Sequence, residues 1–257
     1  MSTRDFNPIA ESLRREVLAF YRERGEEMSG PAGLNTVETN SGFVERRGEP
    51  LLEILHEHGE LDSIAGLRLL DLGCGFGALS AFFAARGATV MGVDLKEDRL
   101  EVGRKVAAEQ GLDVQFKAGR MQNLDFPDET FDVVVENNSL CYVVPREDRR
   151  AALSESLRVL RPGGRLVTRN PNRWNARDQF TGLPLIQLLP PRQAVAVSRR
   201  LGRDRSLVRL TSGPEAVREL RRAGFEQVHN VSSPERSWPS FMRPVARYQH
   251  LIARRPR

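Results

Sequence analysis

Cysteine is nearly absent: Cys74 and Cys141 are the only two in 257 residues, too few for a disulfide framework or a cysteine zinc cluster. Both are expected to be reduced. No run of about 18 apolar residues occurs that could span a bilayer. The opening MSTRDFNPIAESLRREV lacks the apolar stretch a secretory signal needs, so the expected location is the cytoplasm. Lysine is equally scarce, confined to Lys96, Lys105 and Lys117, and arginine carries the positive charge. After Asn170 come 17 arginines, no lysine and 6 acids. That local +11 leaves −6 for residues 1–170 of a chain whose total is +5. A basic half can meet phosphate, anionic lipid or an acidic substrate; coding bias toward arginine produces the same composition.

What is present is a soluble, globular composition, 40% hydrophobic and 28% charged, long enough for one large α/β domain with elaborations. Ile9 to Glu27 places Leu13, Val17, Leu18 and Tyr21 at helical spacing. The glycine-, proline- and asparagine-containing stretch SGPAGLNTVETNSG reads as a separator before a second helix near Glu49 to His58. Residues 1–62 are thus expected to form an N-terminal helical lid. From Leu67 the rhythm changes. Continuous apolar, β-type runs at 67–72, 88–93, 113–118, 131–135 and 164–168 alternate with helical or turn segments, the pattern of a parallel sheet covered on both faces. The fold class expected is α/β, a Rossmann-like doubly wound sheet spanning 63–257. Four prolines (Pro171, Pro184, Pro190, Pro191) and the segment LPLIQLL interrupt it, marking an insertion at about 171–212 on the ligand side of the sheet. A helix from about Pro191, another at 214–223 and strands at 225–231 and 248–253 complete the reading.

Chemistry concentrates in LRLLDLGCGFG, Leu67 to Gly77. A buried strand ending in an acid runs into a turn with glycines at 73, 75 and 77 and then a helix. Such a turn brings backbone N–H groups and a helix N-terminus up to a ligand. By itself the spacing also fits dinucleotide binding, because Gly73, Gly75 and Ala78 satisfy G-x-G-x-x-A. Asp71, two residues before the first glycine, can hold a cationic amino group. Asp94, at the end of TVMGVDL, can accept both hydroxyls of a ribose, or it can cap the following helix. Acids at two adjacent strand ends suit an amino acid joined to a nucleoside better than a pyrophosphate.

DLGCGFG, GVDL, NLDFPDETFDVVV and SLRVLRPGGRLV together resemble the class I S-adenosylmethionine (SAM)-dependent methyltransferases of the small-molecule group, with a type 11/25-like domain. The resemblance covers about residues 65–170. It implies strand order 3-2-1-4-5-7-6 with the last strand antiparallel, SAM as cofactor and S-adenosyl-L-homocysteine (SAH) as product. It also implies cofactor contacts from Asp71, Gly73, Cys74, Gly75, Gly77, Asp94, Leu95, Met121, Gln122 and Asn137. The loop after the third strand departs from the family pattern: Gly119-Arg120-Met121-Gln122 stands where Gly-Asp-Ala is usual. The acid for the adenine amino group is missing there, and Arg120 is expected to point outward.

The fourth strand runs into Glu136-Asn137-Asn138-Ser139-Leu140-Cys141-Tyr142. The related ubiquinone-type O-methyltransferases carry Glu-x-x-Glu-His here. Asn138, Cys141 and Tyr142 take those places, and an amide, a thiol and a phenol bind a hard divalent cation poorly. No catalytic metal is expected. The Asp/Asn-Pro-Pro-aromatic motif of DNA amino-methyltransferases is also absent, so no nucleic-acid partner is expected. Glu136, Tyr142, Asp178 and His229 are the candidates for a proton-accepting base. The expected activity is methyl transfer to a small-molecule acceptor, an O-methylation of a sugar, lipid-linked or secondary-metabolite substrate. The rivals are a non-catalytic SAM-fold binding protein and an NAD-dependent dehydrogenase. For the insertion, a packed cap is expected, with a peripheral membrane contact through the basic 171–210 region as the other reading. Oligomeric state and acceptor identity have no signature in the chain.

Overall fold

The computed structural model describes residues 6–26, 28, 31–41, 44–232 and 246–257, with the side chains of 31–35 left out. Glu27, where the first helix was expected to end, residues 29–30 and 42 of the expected separator, and residue 43 after it lie outside the described residues.

Helices α1 (Asn7–Glu23), α2 (Pro31–Ser41) and α3 (Val44–Glu57) precede an alternating series: β1 (Arg68–Leu72), α4 (Ala78–Ala85), β2 (Thr89–Asp94), α5 (Glu97–Gln110), β3 (Val114–Ala118) and β4 (Phe131–Asn137). There follow α6 (Arg146–Val159), β5 (Leu160–Pro171), α7 (Pro191–Arg200), α8 (Gly213–Arg222), β6 (Glu226–Asn230) and β7 (Tyr248–Arg254). The seven strands form one sheet in the order β3-β2-β1-β4-β5-β7-β6, the order expected. β7 runs antiparallel to both β5 and β6.

Alternation along each strand divides the core in two. Leu69, Val133, Val135, Val167 and Ile252 face a cluster with α1, α3, α4 and α5, whereas Leu70, Leu72, Val134, Leu166 and Leu251 face one with α6 and α8. The N-terminal helices are thus one wall of the first core. In α1, Ile9, Leu13, Val17 and Phe20 are buried, the stripe of an amphipathic helix. Phe6 stacks on Phe82 at 5.1 Å and Phe20 meets Phe76 edge-on at 5.0 Å. Gly48 of α3 lies so close to the Phe82 ring that a Cβ would stand 2.2 Å from it. The expected separator is instead partly helical, α2, beginning on Pro31. Proline's fixed φ suits a first helical turn, and Val37 and Ser41 are buried beneath it.

The strand order reverses between β1 and β4. Connections leave in opposite directions from that point, opening a crevice at the carboxyl ends of the strands where α/β proteins bind ligands. Register brings Asp71 of β1 opposite Gly92 of β2 and Val135 of β4, so Asp71, Asp94 and Asn137 gather at one edge of the sheet. Beyond β5, the insertion is tied down by a bridge between Asn172 and Thr211 and by a small apolar cluster of Cys141, Val208, Leu210 and Phe180. Among the described residues no helix is long and apolar enough to cross a membrane.

Candidate active site

A cavity of about 690 Å³ opens at the crevice, within the range of small-molecule sites. Asp71, Gly73, Cys74, Gly75, Asp94, Leu95, Met121, Gln122 and Asn137 line it. Gly77 does not. The three glycines of the turn have positive φ, +75°, +58° and +81°, but they answer to different constraints. A Cβ on Gly73 would stand 2.2 Å from Ser139 Cβ, and one on Gly77 2.6 Å from the Phe116 ring. A Cβ on Gly75 would meet nothing within 4 Å. Gly73 therefore lets the β4 loop close down and Gly77 lets β3 pack, while Gly75 leaves open a cradle that a side chain would fill. Gly77, expected among the cofactor contacts, is the one glycine of the turn that packs against β3 without bordering the cavity.

Asp71 is buried, and its Oδ2 accepts a 2.7 Å hydrogen bond from Ser80 Oγ. Burial pushes its pKa up to about 7; the Ser80 hydroxyl opposes the shift, and the charges of Asp94 and Glu136 add to it. A buried carboxylate held this way gains from a cation placed beside it. Asp94 accepts from Gly75 N at 2.9 Å and Lys96 N at 3.0 Å. It holds the glycine turn and the backbone of Lys96, which is itself the N-cap residue of α5, so Asp94 stands two residues before the cap position and not at it. Burial also raises the Cys74 thiol well above its usual range, reinforced by Asp71 and Asp94. That sulfur is a neutral packing atom. Arg120 is exposed, as expected, but it borders the cavity together with Met121 and Gln122.

The four candidate bases separate clearly. Glu136 Oε1 accepts from Ser139 N and Ser139 Oγ at 2.7 Å and from Leu140 N at 2.6 Å, while Oε2 accepts from Asn170 Nδ2. With four donors on two oxygens it organises the loop after β4 and has little capacity left for a substrate proton. Asp178 is buried in the insertion, 3.2 Å from Arg205 Nη2 and capped by Thr181 N and Oγ1; it does not border the cavity. His229 stands exposed on edge strand β6, away from the cavity lining. Tyr142 does border it, 51% exposed, with its ring edge against Phe180 at 6.2 Å. Burial and the neighbouring Cys141 raise its pKa, against the pull of Arg99. Its phenol is therefore protonated at neutral pH and faces the cavity as a hydrogen-bond donor. Among the described residues no group of three or more His, Cys, Asp or Glu could hold a metal ion.

Other wall residues carried no linear signal. Asn40 and Arg47 reach the cavity from α2 and α3, and Leu207 from the insertion. Arg209 N donates to Cys141 O at 2.8 Å, fixing that edge to the β4 loop. Asn138 has φ +59° and a buried Oδ1 with no partner among the described residues. The only sequence clue to it was its place after a strand that ends at the crevice.

Residues 69–164 match the family model described as a methyltransferase domain. Methyltransferase GfsG of Streptomyces halstedii is 38% identical over 123 residues, which is 47% of this chain and 42% of that protein. The ubiquinone biosynthesis O-methyltransferase of Brucella anthropi is 38% identical over 108 residues, 42% of each chain. The chain thus spans less than half the length of these curated relatives. Among solved structures, the 1,6-didemethyltoxoflavin-N1-methyltransferase of Burkholderia thailandensis, with S-adenosylhomocysteine and 1,6-didemethyltoxoflavin bound, shares the fold. Its TM-score is 0.57 at 22% identity, covering 100% of this chain and 93% of that one.

Proposed function

We propose that this chain, which carries a class I SAM-dependent methyltransferase domain over residues 69–164, transfers the methyl group of SAM to an oxygen of a small-molecule acceptor. The observation that carries the reading is the cradle at Gly75, open and flanked by the carboxylates of Asp71 and Asp94. In this reading Asp71 faces the amino group of the cofactor and Asp94 its ribose hydroxyls. Gly73, Cys74 and Gly75 supply backbone, and Leu95, Met121, Gln122 and Asn137 surround the rest. When bound, SAM supplies an activated electrophilic methyl group, so the protein's task is alignment and exclusion of water. Residues 1–62 act as a lid, with Asn40 and Arg47 on the acceptor side. The insertion at about 171–212 acts as a cover, with Leu207 at the cavity and the Asp178–Arg205 pair holding it rigid. Oxygen as the methylated atom is supported by the relative named as an O-methyltransferase; a sugar, lipid-linked or secondary-metabolite acceptor fits a cavity of this size.

Isothermal calorimetry tests the reading. SAM and SAH are expected to bind in the micromolar range and NAD not at all; NAD binding alone would return the site to a dehydrogenase. Asp94→Ala and Asp94→Asn should each weaken SAH binding at least tenfold in a protein that stays folded, and an unchanged affinity would refute the ribose role. Release of SAH when candidate acceptors are added separates turnover from mere binding.

The insertion also supports a peripheral membrane contact. Leu185, Leu188, Leu189 and Leu201 are exposed around α7, where Arg192, Arg199 and Arg200 lie. Apolar residues beside arginine suit an anionic membrane surface. Pelleting with anionic liposomes at low salt and release at high salt is the expected result; no pelleting at either would remove this contact.

A further inference from the structure

Three carboxylates border the cavity among the described residues: Asp71, Asp94 and Asp148. Two are committed. Asp71 accepts from Ser80 at the end of β1, and Asp94 holds the backbone of Gly75 and Lys96. Asp148, in the first turn of α6, is partly buried and has no hydrogen bond or ion pair among the described residues. An acid in a first turn complements the helix dipole. Glu147, exposed in the same turn and away from the cavity lining, already meets that need. The place of Asp148 at the crevice calls for a different reason.

Chain direction decides which part of the crevice Asp148 meets. β1, β2, β3 and β4 are mutually parallel, so the chain between β3 and β4 descends from the carboxyl end of the sheet to the amino end. α6 descends the same way, from the loop after β4 to the start of β5. The two segments are bonded to one another lower down. Leu124 N donates to Glu155 Oε2 at 2.7 Å, while Arg158 donates from Nη2 to Leu124 O and from Nη1 to Phe126 O, both at 2.8 Å. Residues ahead of Leu124 therefore lie beside residues ahead of Glu155. Asp148, Ala152 and Glu155 are spaced i, i+4 and i+7, one stripe of the helix, and those two turns rise about 10 Å. Going up from Leu124, the chain makes a turn closed by Asn123 N to Arg120 O at 3.0 Å and reaches Gly119, whose N donates to Asp94 O at 3.0 Å. Met121 packs against the same cluster as Ala152 and Val143. The upper end of the stripe thus sets Asp148 beside Arg120, Met121 and Gln122, all of which border the cavity.

In the methyl-transfer reading the amino group of SAM lies at Asp71 on β1 and its ribose at Asp94 on β2, so the base continues toward the carboxyl end of β3. Adenine there presents an exocyclic amino group, whose two N–H donors need acceptors once withdrawn from water. Arg120 stands where the resemblance implies an acid, and Arg120, Lys96 and Arg99, which all border the cavity, offer donors only. Asp71 is two strands from β3, about 10 Å away. We propose that Asp148 accepts a hydrogen bond from the adenine amino group, supplying from α6 the acid that the loop after β3 lacks, and so selects a purine that carries an amino group. This deepens the methyl-transfer reading and rests on it. The Gln122 amide is the neutral rival, and a bond to a carboxylate is the stronger of the two.

Calorimetry with SAH and S-inosylhomocysteine tests the contact, because the second ligand replaces the amino group by a 6-oxo acceptor. Wild type should bind SAH at least about tenfold more tightly, since the oxo group sets an acceptor against an acceptor. In Asp148→Ala, SAH should weaken about tenfold and the preference should shrink to about threefold or less. In Asp148→Asn, whose amide donates as well as accepts, S-inosylhomocysteine should gain on SAH; this variant carries the result if Asp148→Ala loses its fold by circular dichroism. A merely structural role at the start of α6 would weaken both ligands equally and leave the preference untouched, which overturns the proposal. So does a preference that Gln122→Ala abolishes and Asp148→Ala keeps. Unchanged SAH affinity with loss of methyl transfer in Asp148→Ala would place the carboxylate at the acceptor instead. SAH binding without any preference in wild type fails the adenine contact alone; binding of neither ligand fails the cofactor reading and the contact with it.

Discussion

Asp71→Asn should make the ligand-free protein more stable and a poorer binder of SAM. Asp71 is fully enclosed, and its pKa rises from 3.8 to about 7 on folding. In the unfolded chain the carboxyl loses its proton near pH 4; in the folded protein it keeps it to about 7. Between those values the folded state binds a proton the unfolded state lacks, so stability falls as pH rises through that window and levels off above it. At 1.36 kcal/mol per unit, the full penalty is about 4 kcal/mol. Asparagine has no such titration and can still accept the Ser80 hydroxyl. The advantage of Asp71→Asn over wild type should therefore widen by about 3 kcal/mol from pH 5 to pH 8, measured by urea denaturation of both proteins at each pH. A gap of the same size at both pH values would refute the argument that ionised Asp71 strains the empty site. Calorimetry supplies the functional half. A cation beside Asp71 favours the carboxylate, so SAM binding near pH 6 should release a proton from wild type, seen as a heat that varies with the buffer's ionisation enthalpy, and none from the variant.

The roles of Gly75 and Gly77 in the glycine turn can be separated. Gly75→Ala places a methyl in open space at φ +58°, costing about 1 kcal/mol of stability but at least tenfold in SAH affinity; Gly77→Ala, 2.6 Å from Phe116, should cost about 1–3 kcal/mol through packing. If the two variants lose binding and stability in the same proportion, the distinction is wrong. Glu136→Gln turns a donor toward Asn170 Nδ2 and should lower unfolding free energy by about 1–3 kcal/mol; a variant as stable as wild type with a flattened pH–rate profile would mark Glu136 as the base after all. Asp178→Asn leaves Arg205 buried and uncompensated, with side-chain exposures of 0% and 2% for the pair, and should destabilise by about 3–5 kcal/mol, measured by thermal unfolding. A change in methyl transfer at full stability would instead assign Asp178 to the reaction.

What could be read in the chain follows from how far each signal reaches. The strands, the glycine turn and the acids at 71 and 94 are carried by short contiguous segments that leave a local pattern, whereas the strand order came only with the family resemblance. α2 was missed because its face is neither strongly apolar nor charged; Pro31 begins it and the tertiary burial of Val37 holds it. The candidate bases could not be ranked in the sequence for a related reason. A carboxylate in sequence looks the same whether it is free or, like Glu136, committed to four donors that include Asn170, 34 residues away. Asp178 and Arg205 are 27 residues apart, and nothing between them announces a pair. The same limit hid Arg47 and Arg169: Arg169 lies just before the basic stretch that begins at Pro171, and Arg47 just before the helix expected from Glu49, so neither drew a reading. The sheet register sets Arg169 beside Asn137 and His250, and the packing of Gly48 on Phe82 brings α3 against that face. Charge count along the chain does not say which arginines meet the crevice: those that border it, Arg47, Arg99 and Arg120, come from α3, α5 and the loop after β3, three segments with no shared pattern in the sequence.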